Sequence, residues 1–203
     1  MLVIVAGPSA AVLLPGGWTA DEDVREFRVW LSESLSPAGD NWWVLREPRS
    51  LDMAEPSPTT GPMLIEPDPY ECDDADEDAC LTRAAGFLPI TQIVLAAAVN
   101  GKDDHRLLAQ FAVAIARRYG GLIDLDSMLP VPPPPEVSAL SALESGTGRR
   151  RWEDRSRATL ATLHGRWHEI PYRTAWDEVA VRHVVDADLL DSWLHHPLFR
   201  MVK

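Results

Sequence analysis

Lysine, cysteine and long apolar runs are all scarce in this sequence. The only lysines are Lys102 and Lys203, against 17 arginines, a bias typical of a GC-rich bacterial genome. The two cysteines, Cys72 and Cys80, lie in an acidic segment and lack the regular spacing of a disulfide framework, so we expect a reducing compartment. No run approaches the roughly 20 apolar residues of a membrane span. The sequence therefore predicts a cytoplasmic protein without membrane contact.

The charge balance is strongly acidic. The 203 residues carry 31 Asp and Glu against 19 Lys and Arg, which gives a formal net charge of −12. Most of such a surface repels a nucleic-acid backbone, so no nucleic-acid partner is expected. Two interpretations remain open, because the charge can keep the protein soluble or can attract a basic partner.

The sequence contains no compact catalytic or cofactor motif. It has no GxSxG elbow, no Walker A loop, no GxGxxG fingerprint and no HExxH metal motif. The pair Gly120-Gly121 follows a predicted helix and precedes a predicted strand, so it is expected to end the helix and not to bind phosphate. No cofactor is predicted, and the protein is expected to be non-enzymatic.

Four residues near the C-terminus suggest an alternative function. With them the chain would be a small metal- or ligand-binding protein or a hydrolase. His168 and His183 fall on two strands that are predicted to pair, Asp186 follows the second strand, and His196 ends the next helix. Histidine and carboxylate side chains bind metals and transfer protons, so convergence of these residues would create a site. Histidines on strands are also commonly satisfied by hydrogen bonds alone. The alternative therefore depends on whether the four side chains meet.

Residues 87–129 show the clearest structural pattern, a strand, a helix and a strand with a break at each junction. Residues 90–99 are an almost uninterrupted apolar run, which predicts a strand covered on both faces. An amphipathic helix follows and leads through Gly120-Gly121 into a strand at residues 122–125. So short a crossover predicts two parallel strands with the helix on one face of the sheet.

The remaining patterns complete an α/β (α+β) fold. An N-terminal strand, an amphipathic helix and a strand at residues 42–45 precede this unit, and residues 63–65 are expected to be a short edge strand. The order βαββαβ predicts a ferredoxin-like sandwich with a mixed sheet. Residues 167–173 and 179–185 are then expected to form a C-terminal β-hairpin, and Asp186 caps a last helix.

The chain is predicted to have three parts. Residues 1–129 form the ferredoxin-like core, residues 130–157 a linker rich in proline and arginine, and residues 158–203 a ββα extension packed on the core. Trp152 and Trp176 fall in predicted loops, so we expect them to be contact anchors for a partner.

Residues 66–78 carry eight acids in thirteen positions, and such a density of like charge predicts an exposed segment. A solvated face and a binding site for a basic protein are both consistent with it. The spacing is not that of an EF-hand loop. The residues expected to meet a partner here are Asp73, Asp74, Asp76 and Asp78.

The last forty residues resemble the C-terminal sequence of a protein family. The runs HEIPYRTA and AVRHVVDADLLDSWLHHPLFRMVK resemble the C-terminal signature of an uncharacterised actinobacterial domain-of-unknown-function family. The runs AGPSAAVLLP and DHRLLAQFAVAIARRYGGLIDL fit the same family. This resemblance implies no activity and no catalytic residues. The helix followed by Gly-Gly and a strand also resembles small immunity proteins of bacterial polymorphic toxin systems, which implies an immunity-like binder of a basic, toxin-like partner.

Overall fold

A computed structural model describes residues 7–18, 21–46, 60–72, 74–133, 146–174 and 177–202. Five helices lie within these ranges: α1 (Asp21–Leu31), α2 (Ala75–Ala85), α3 (Lys102–Tyr119), α4 (Gly146–Leu160) and α5 (Ala187–Leu194). The same ranges contain eight strands: β1 (Ser9–Leu14), β2 (Leu35–Pro37), β3 (Trp42–Leu45), β4 (Met63–Pro69), β5 (Thr91–Ala97), β6 (Leu122–Asp124), β7 (Trp167–Arg173) and β8 (Val179–Val185).

The strands form one sheet in the order β2-β3-β4-β5-β1-β6-β8-β7. The α/β fold with a C-terminal hairpin and helix is thereby confirmed. β5, α3 and β6 make a split βαβ unit, because β1 lies between the two strands and runs antiparallel to both. Every pairing of the described strands is antiparallel, so the expected mixed sheet is corrected. The crossover does connect strands of the same direction, but they are not neighbours.

The prediction of a short edge strand at residues 63–65 was wrong. β4 extends to Pro69 and lies between β3 and β5. β3 pairs only with Met63 and Leu64, whereas β5 pairs with the whole of β4. Pro67 and Pro69 therefore fall where no described strand pairs with one side of β4, and there a missing backbone N–H costs no ladder hydrogen bond with β3.

Helix α3 is the central element of the core. Leu107, Leu108, Phe111 and Ile115 form its predicted apolar face, and all four are buried. Its C-cap, Gly120, has φ +70 and donates its N–H to the Ala116 carbonyl oxygen, which confirms the predicted left-handed helix end.

The two faces of the sheet are covered differently. Residues of α1, α3, α4 and α5 share one cluster of buried side chains with Val12 and Leu14 of β1. Leu13 points the other way and packs with Leu81 of α2. A single described helix, α2, thus contributes to the second cluster, and the candidate site lies beside it.

The C-terminal part continues the same sheet, since β8 pairs with β6. The division into core, linker and extension stays a prediction, but residues 146–157 of the predicted linker are helical, within α4. The apolar C-terminus is docked: Met201 is buried and the Val202 carbonyl oxygen accepts a hydrogen bond from the Ser9 N–H. No helix in the described part of the chain is long and apolar enough to cross a membrane.

Candidate functional site: an acidic cleft beside α2

A pocket of about 570 Å³ lies between α2 and the sheet, and we call it the acidic cleft. It is formed by β1, β5, β6, β8 and the end of β7, by the first turn of α2 and by the segment that joins β4 to α2. Carboxylates outnumber guanidinium groups in its lining. The charged residues of the lining are Glu71, Asp74, Glu77, Asp124, Asp126, Arg173 and Arg182.

Arg182 of β8 joins α2 to the sheet at the inner end of the cleft. Its Nη1 lies 2.8 Å from Glu77 Oε1, and its Nε lies 3.0 Å from Asp124 Oδ2. All three side chains are at most 15% exposed. Burial lowers the pKa of Arg182, but the carboxylates of Asp124 and Glu77 outweigh that effect and raise it. The guanidinium is therefore charged, and the three residues together carry a net charge of −1 when both acids are ionised.

The pKa of Asp124 is unusually high for an aspartate. Burial raises its pKa to about 6, and the Arg182 guanidinium and a hydrogen bond from the Asp126 N–H only partly oppose this shift. That N–H donates to Asp124 Oδ1 at 2.8 Å. The carboxylate is thus ionised at neutral pH and protonated in mild acid.

Tyr70 lies where the chain leaves β4 for α2. Its hydroxyl is buried and interacts with the Cys72 thiol and the Arg182 guanidinium, although neither contact has ideal hydrogen-bond geometry. Burial raises the pKa of Tyr70, so the phenol is neutral. Buried hydroxyl groups are normally paired. The Tyr70 hydroxyl therefore belongs to the polar floor of the cleft, together with Cys72 and Arg182.

The acidic segment is only partly a solvated face. Asp74 is the N-cap of α2, where its Oδ1 accepts hydrogen bonds from the N–H groups of Asp76 and Glu77. Asp76 is exposed and Asp78 is half-buried, while Asp73 lies outside the described residues. Of the three predicted partner-binding acids that the structure describes, only Asp74 lines the cleft.

Of the two predicted tryptophan anchors, Trp152 lies in helix α4 and not in a loop. Its Nε1–H donates to the Val131 carbonyl oxygen at 2.8 Å, and its half-buried ring packs against the main core. Trp176 lies outside the described residues.

The four residues of the alternative site are not brought together. His183 is fully buried and pairs in register with Glu169, whereas His168 pairs with Val184, so the two histidines point to opposite faces of the hairpin. Asp186 caps α5, and its Oδ1 accepts a hydrogen bond from the Leu189 N–H. Within the described ranges, no three His, Cys, Asp or Glu side chains are grouped so as to hold a metal ion.

Each of these histidines has a structural role or setting of its own. His183 Nδ1 accepts a hydrogen bond from the Leu129 N–H at 2.7 Å, and its Nε2 lies 3.4 Å from Glu169. Burial lowers the pKa of His183 and also that of His168. The His196 ring stacks on Trp193 with 4.8 Å between centroids. His183 and His196 therefore make separate contacts, with Glu169 and with Trp193.

Sequence reasoning missed Asp124 and Arg182, the central residues of the cleft. A signal did exist: Arg182 interrupts the apolar strand Val179–Val185, and Asp124 ends the apolar strand Leu122–Asp124. A charge at such a position is typical of a buried ion pair. The partners are more than fifty residues apart, so the pairing follows only from the register of β6 and β8.

Neither a curated protein nor a solved structure matches this chain. One family model does match, over residues 6–203, and it confirms the expected resemblance to a domain of unknown function. The chain therefore belongs to the family of unknown function DUF6368.

Proposed function

We propose that this protein is a non-enzymatic binding module of the bacterial cytoplasm, immunity-like in that it captures a basic, toxin-like protein, and that the acidic cleft receives a cationic group of that partner. The observation that supports this most is the carboxylate excess of the cleft. Glu71 and Asp126 at its rim are exposed, and no ion pair within the described residues engages them.

The floor of the cleft adds to the attraction. Arg182 is already matched by Glu77 and Asp124, whose summed charge exceeds its own. A cationic group that enters the cleft therefore meets a negative potential at the floor as well as at the rim. Charge complementarity of this kind accelerates encounter and selects against acidic partners.

An apolar rim lies next to the acidic groups. Ile90 is 52% exposed and Leu88 is 51% exposed. The Ile90 carbonyl oxygen accepts a hydrogen bond from the Tyr70 N–H, which places Ile90 at the same end of the cleft as Tyr70. Protein interfaces combine an apolar contact area with specific polar pairs, so this combination suits a protein partner better than a free cation.

The test uses a short lysine- and arginine-rich peptide as the probe and isothermal titration calorimetry at low salt. We expect measurable binding to the unmodified protein and weaker binding to the double variant Glu71→Gln and Asp126→Asn. The loss should be about tenfold, since each rim charge contributes on the order of 0.5–1 kcal/mol. Asn suits residue 126, whose φ is 57, because it tolerates the left-handed region.

The matched control removes two exposed acids from α1 with the double variant Glu22→Gln and Asp23→Asn. It changes the net charge by the same amount at a place outside the cleft lining. Equal losses in the two variants would show that only net charge matters, and no binding by the unmodified protein would refute the proposal altogether.

A further inference from the structure

A second pocket differs from the acidic cleft in charge. It has a volume of about 420 Å³ and lies between the start of α3, helix α4 and the C-terminal segment, and the described residues of its lining include no carboxylate. We call it the Arg200 pocket. Its walls include the apolar side chains of Trp152, Met128 and Met201, and its polar groups include Arg200 and Asn100. This size and this mixture of apolar walls with few polar groups are typical of small-molecule sites.

Arg200 is the cation of this pocket. Its Nε donates to the Pro130 carbonyl oxygen at 2.7 Å and its Nη2 lies 3.4 Å from the Val131 carbonyl oxygen. These two bonds fix the plane of the guanidinium. No described carboxylate lies within ion-pair distance of Arg200, although the sequence has 31 acids. A fixed guanidinium with donors to spare is suited to carboxylate or phosphate oxygens.

His105 organises the polar side of the pocket without supplying a charge. Its Nδ1 accepts a hydrogen bond from the Met201 N–H at 2.9 Å, so the ring proton is on Nε2, which lies 2.9 Å from Asn100 Oδ1. The Asn100 side chain then presents its amide N–H groups as donors. Asn100 is exposed and can meet a ligand from the same side as Arg200.

Trp152 supplies a rigid ring surface. The hydrogen bond from its Nε1 to the Val131 carbonyl oxygen holds the indole in place, and Arg200 donates to the same carbonyl group. The ring wall and the cation are thus fixed relative to each other. A ligand that joins a flat ring to an anionic group would contact both without reorganising either.

We propose that the Arg200 pocket binds a small organic anion that carries a flat ring, with the ring against Trp152 and the anionic oxygens at Arg200 and Asn100. This site is separate from the acidic cleft, and it does not depend on the function proposed for that cleft. The net charge of −12 does little to oppose an anion at this pocket, because charges more than about 8 Å away are largely screened at physiological ionic strength.

The experiment titrates the full chain with four probes at physiological ionic strength: adenosine monophosphate, 2-naphthoate, adenosine and inorganic phosphate. We expect adenosine monophosphate, 2-naphthoate or both to bind with a dissociation constant below about 1 mM, and adenosine and phosphate to bind at least about tenfold more weakly. The first two probes distinguish a phosphate ligand from a carboxylate ligand. Failure of both to bind would overturn the proposal, as would equal binding of inorganic phosphate.

Arg200→Gln should weaken binding of the probe by about tenfold or more, because the substitution removes the positive charge and the paired N–H donors of the guanidinium. The matched control is Arg46→Gln. Arg46 also donates to two backbone carbonyl oxygens, those of Ser32 and Glu33, but it lies outside the pocket. The backbone amide chemical shifts of residues 127–129, 131 and 200–202 should change when the probe binds. Unchanged affinity in a folded Arg200→Gln protein, or shifts confined to other residues, would refute the assignment.

Discussion

Asp124 controls how the charge of the acidic cleft depends on pH. Burial raises its pKa to about 6 from an ordinary value of 3.8, so the folded chain takes up a proton at a higher pH than the unfolded chain does. Its ionisation therefore costs stability as pH rises from about 4 to about 6, on the order of 2–3 kcal/mol.

Asp124→Asn should remove this pH dependence. Relative to the variant, the unmodified protein should be more stable near pH 4.5 than near pH 7, as measured by urea unfolding at each pH. Parallel stability profiles for the two proteins would contradict the raised pKa.

The contribution of His183 to stability depends on pH in the opposite direction. Burial lowers its pKa below the ordinary 6.5, so the unfolded chain takes up a proton that the folded chain resists, and the contribution of His183 to stability falls as pH drops below 6.5. At neutral pH its role is to fill the core and to accept the Leu129 N–H.

His183→Ala should therefore destabilise the protein by about 3 kcal/mol at pH 7, because it leaves a cavity and an unpaired buried N–H. The exposed His195→Ala is the control, and it should cost less than about 0.5 kcal/mol. Denaturant unfolding measures both changes, and equal small effects would show that His183 is not the buried acceptor described above.

At the scale of elements, α2 is positioned by its N-cap and by contacts with distant strands. Asp74→Ala removes the acceptor for two backbone N–H groups and should destabilise the protein by about 1 kcal/mol, whereas Asp74→Asn keeps an acceptor and should change stability by only a few tenths. The exposed Asp76→Asn should be nearly neutral. Equal effects of the Ala and Asn substitutions in thermal unfolding would show that Asp74 does not cap the helix.

The sequence predicted those elements whose signals are local. Period-two alternation located β7 and β8 with their observed bounds, Asp186 located the start of α5, and the Gly120 signal located the end of α3. Prolines misled the assignment of β4, because local sequence does not show that β3 pairs with only its first two residues. Pairing between strands is decided by long-range packing, which no local pattern encodes.

At the scale of the whole molecule, the same distinction explains why the cleft was missed. The net charge and the acidic segment can be seen in the sequence, and from them we predicted a basic partner and named Asp74 as a contact residue. The floor of the cleft is different, because Glu77, Asp124 and Arg182 meet only when α2 packs on the sheet through Leu81, Leu13 and Ile170. Those residues come from five separate elements, β1, α2, β6, β7 and β8.

The two pockets carry charged groups of opposite sign and lie on opposite sides of the sheet. The acidic cleft lies on the α2 side of the sheet, whereas the Arg200 pocket lies at the start of α3 and beside α4, which belong to the other side.

Leu81→Ala should loosen α2 and should destabilise the protein by about 2–5 kcal/mol, as expected for a fully buried leucine. It should weaken binding of the basic peptide without changing ligand affinity at the Arg200 pocket, as calorimetry below the unfolding temperature would show. Loss of both activities in the folded variant would mean that the two sites are coupled.

The salt dependence of the association rate tests the central claim, that the acidic cleft attracts a basic group, most directly. The rate for the lysine- and arginine-rich peptide is measured by stopped flow at low and high salt for the unmodified protein, for Glu71→Gln with Asp126→Asn, and for the α1 control. We predict that the cleft variant associates more slowly at low salt and has a shallower salt slope, while its dissociation rate changes less. An unchanged rate and slope in the cleft variant, or the same change in the α1 control, would contradict the claim.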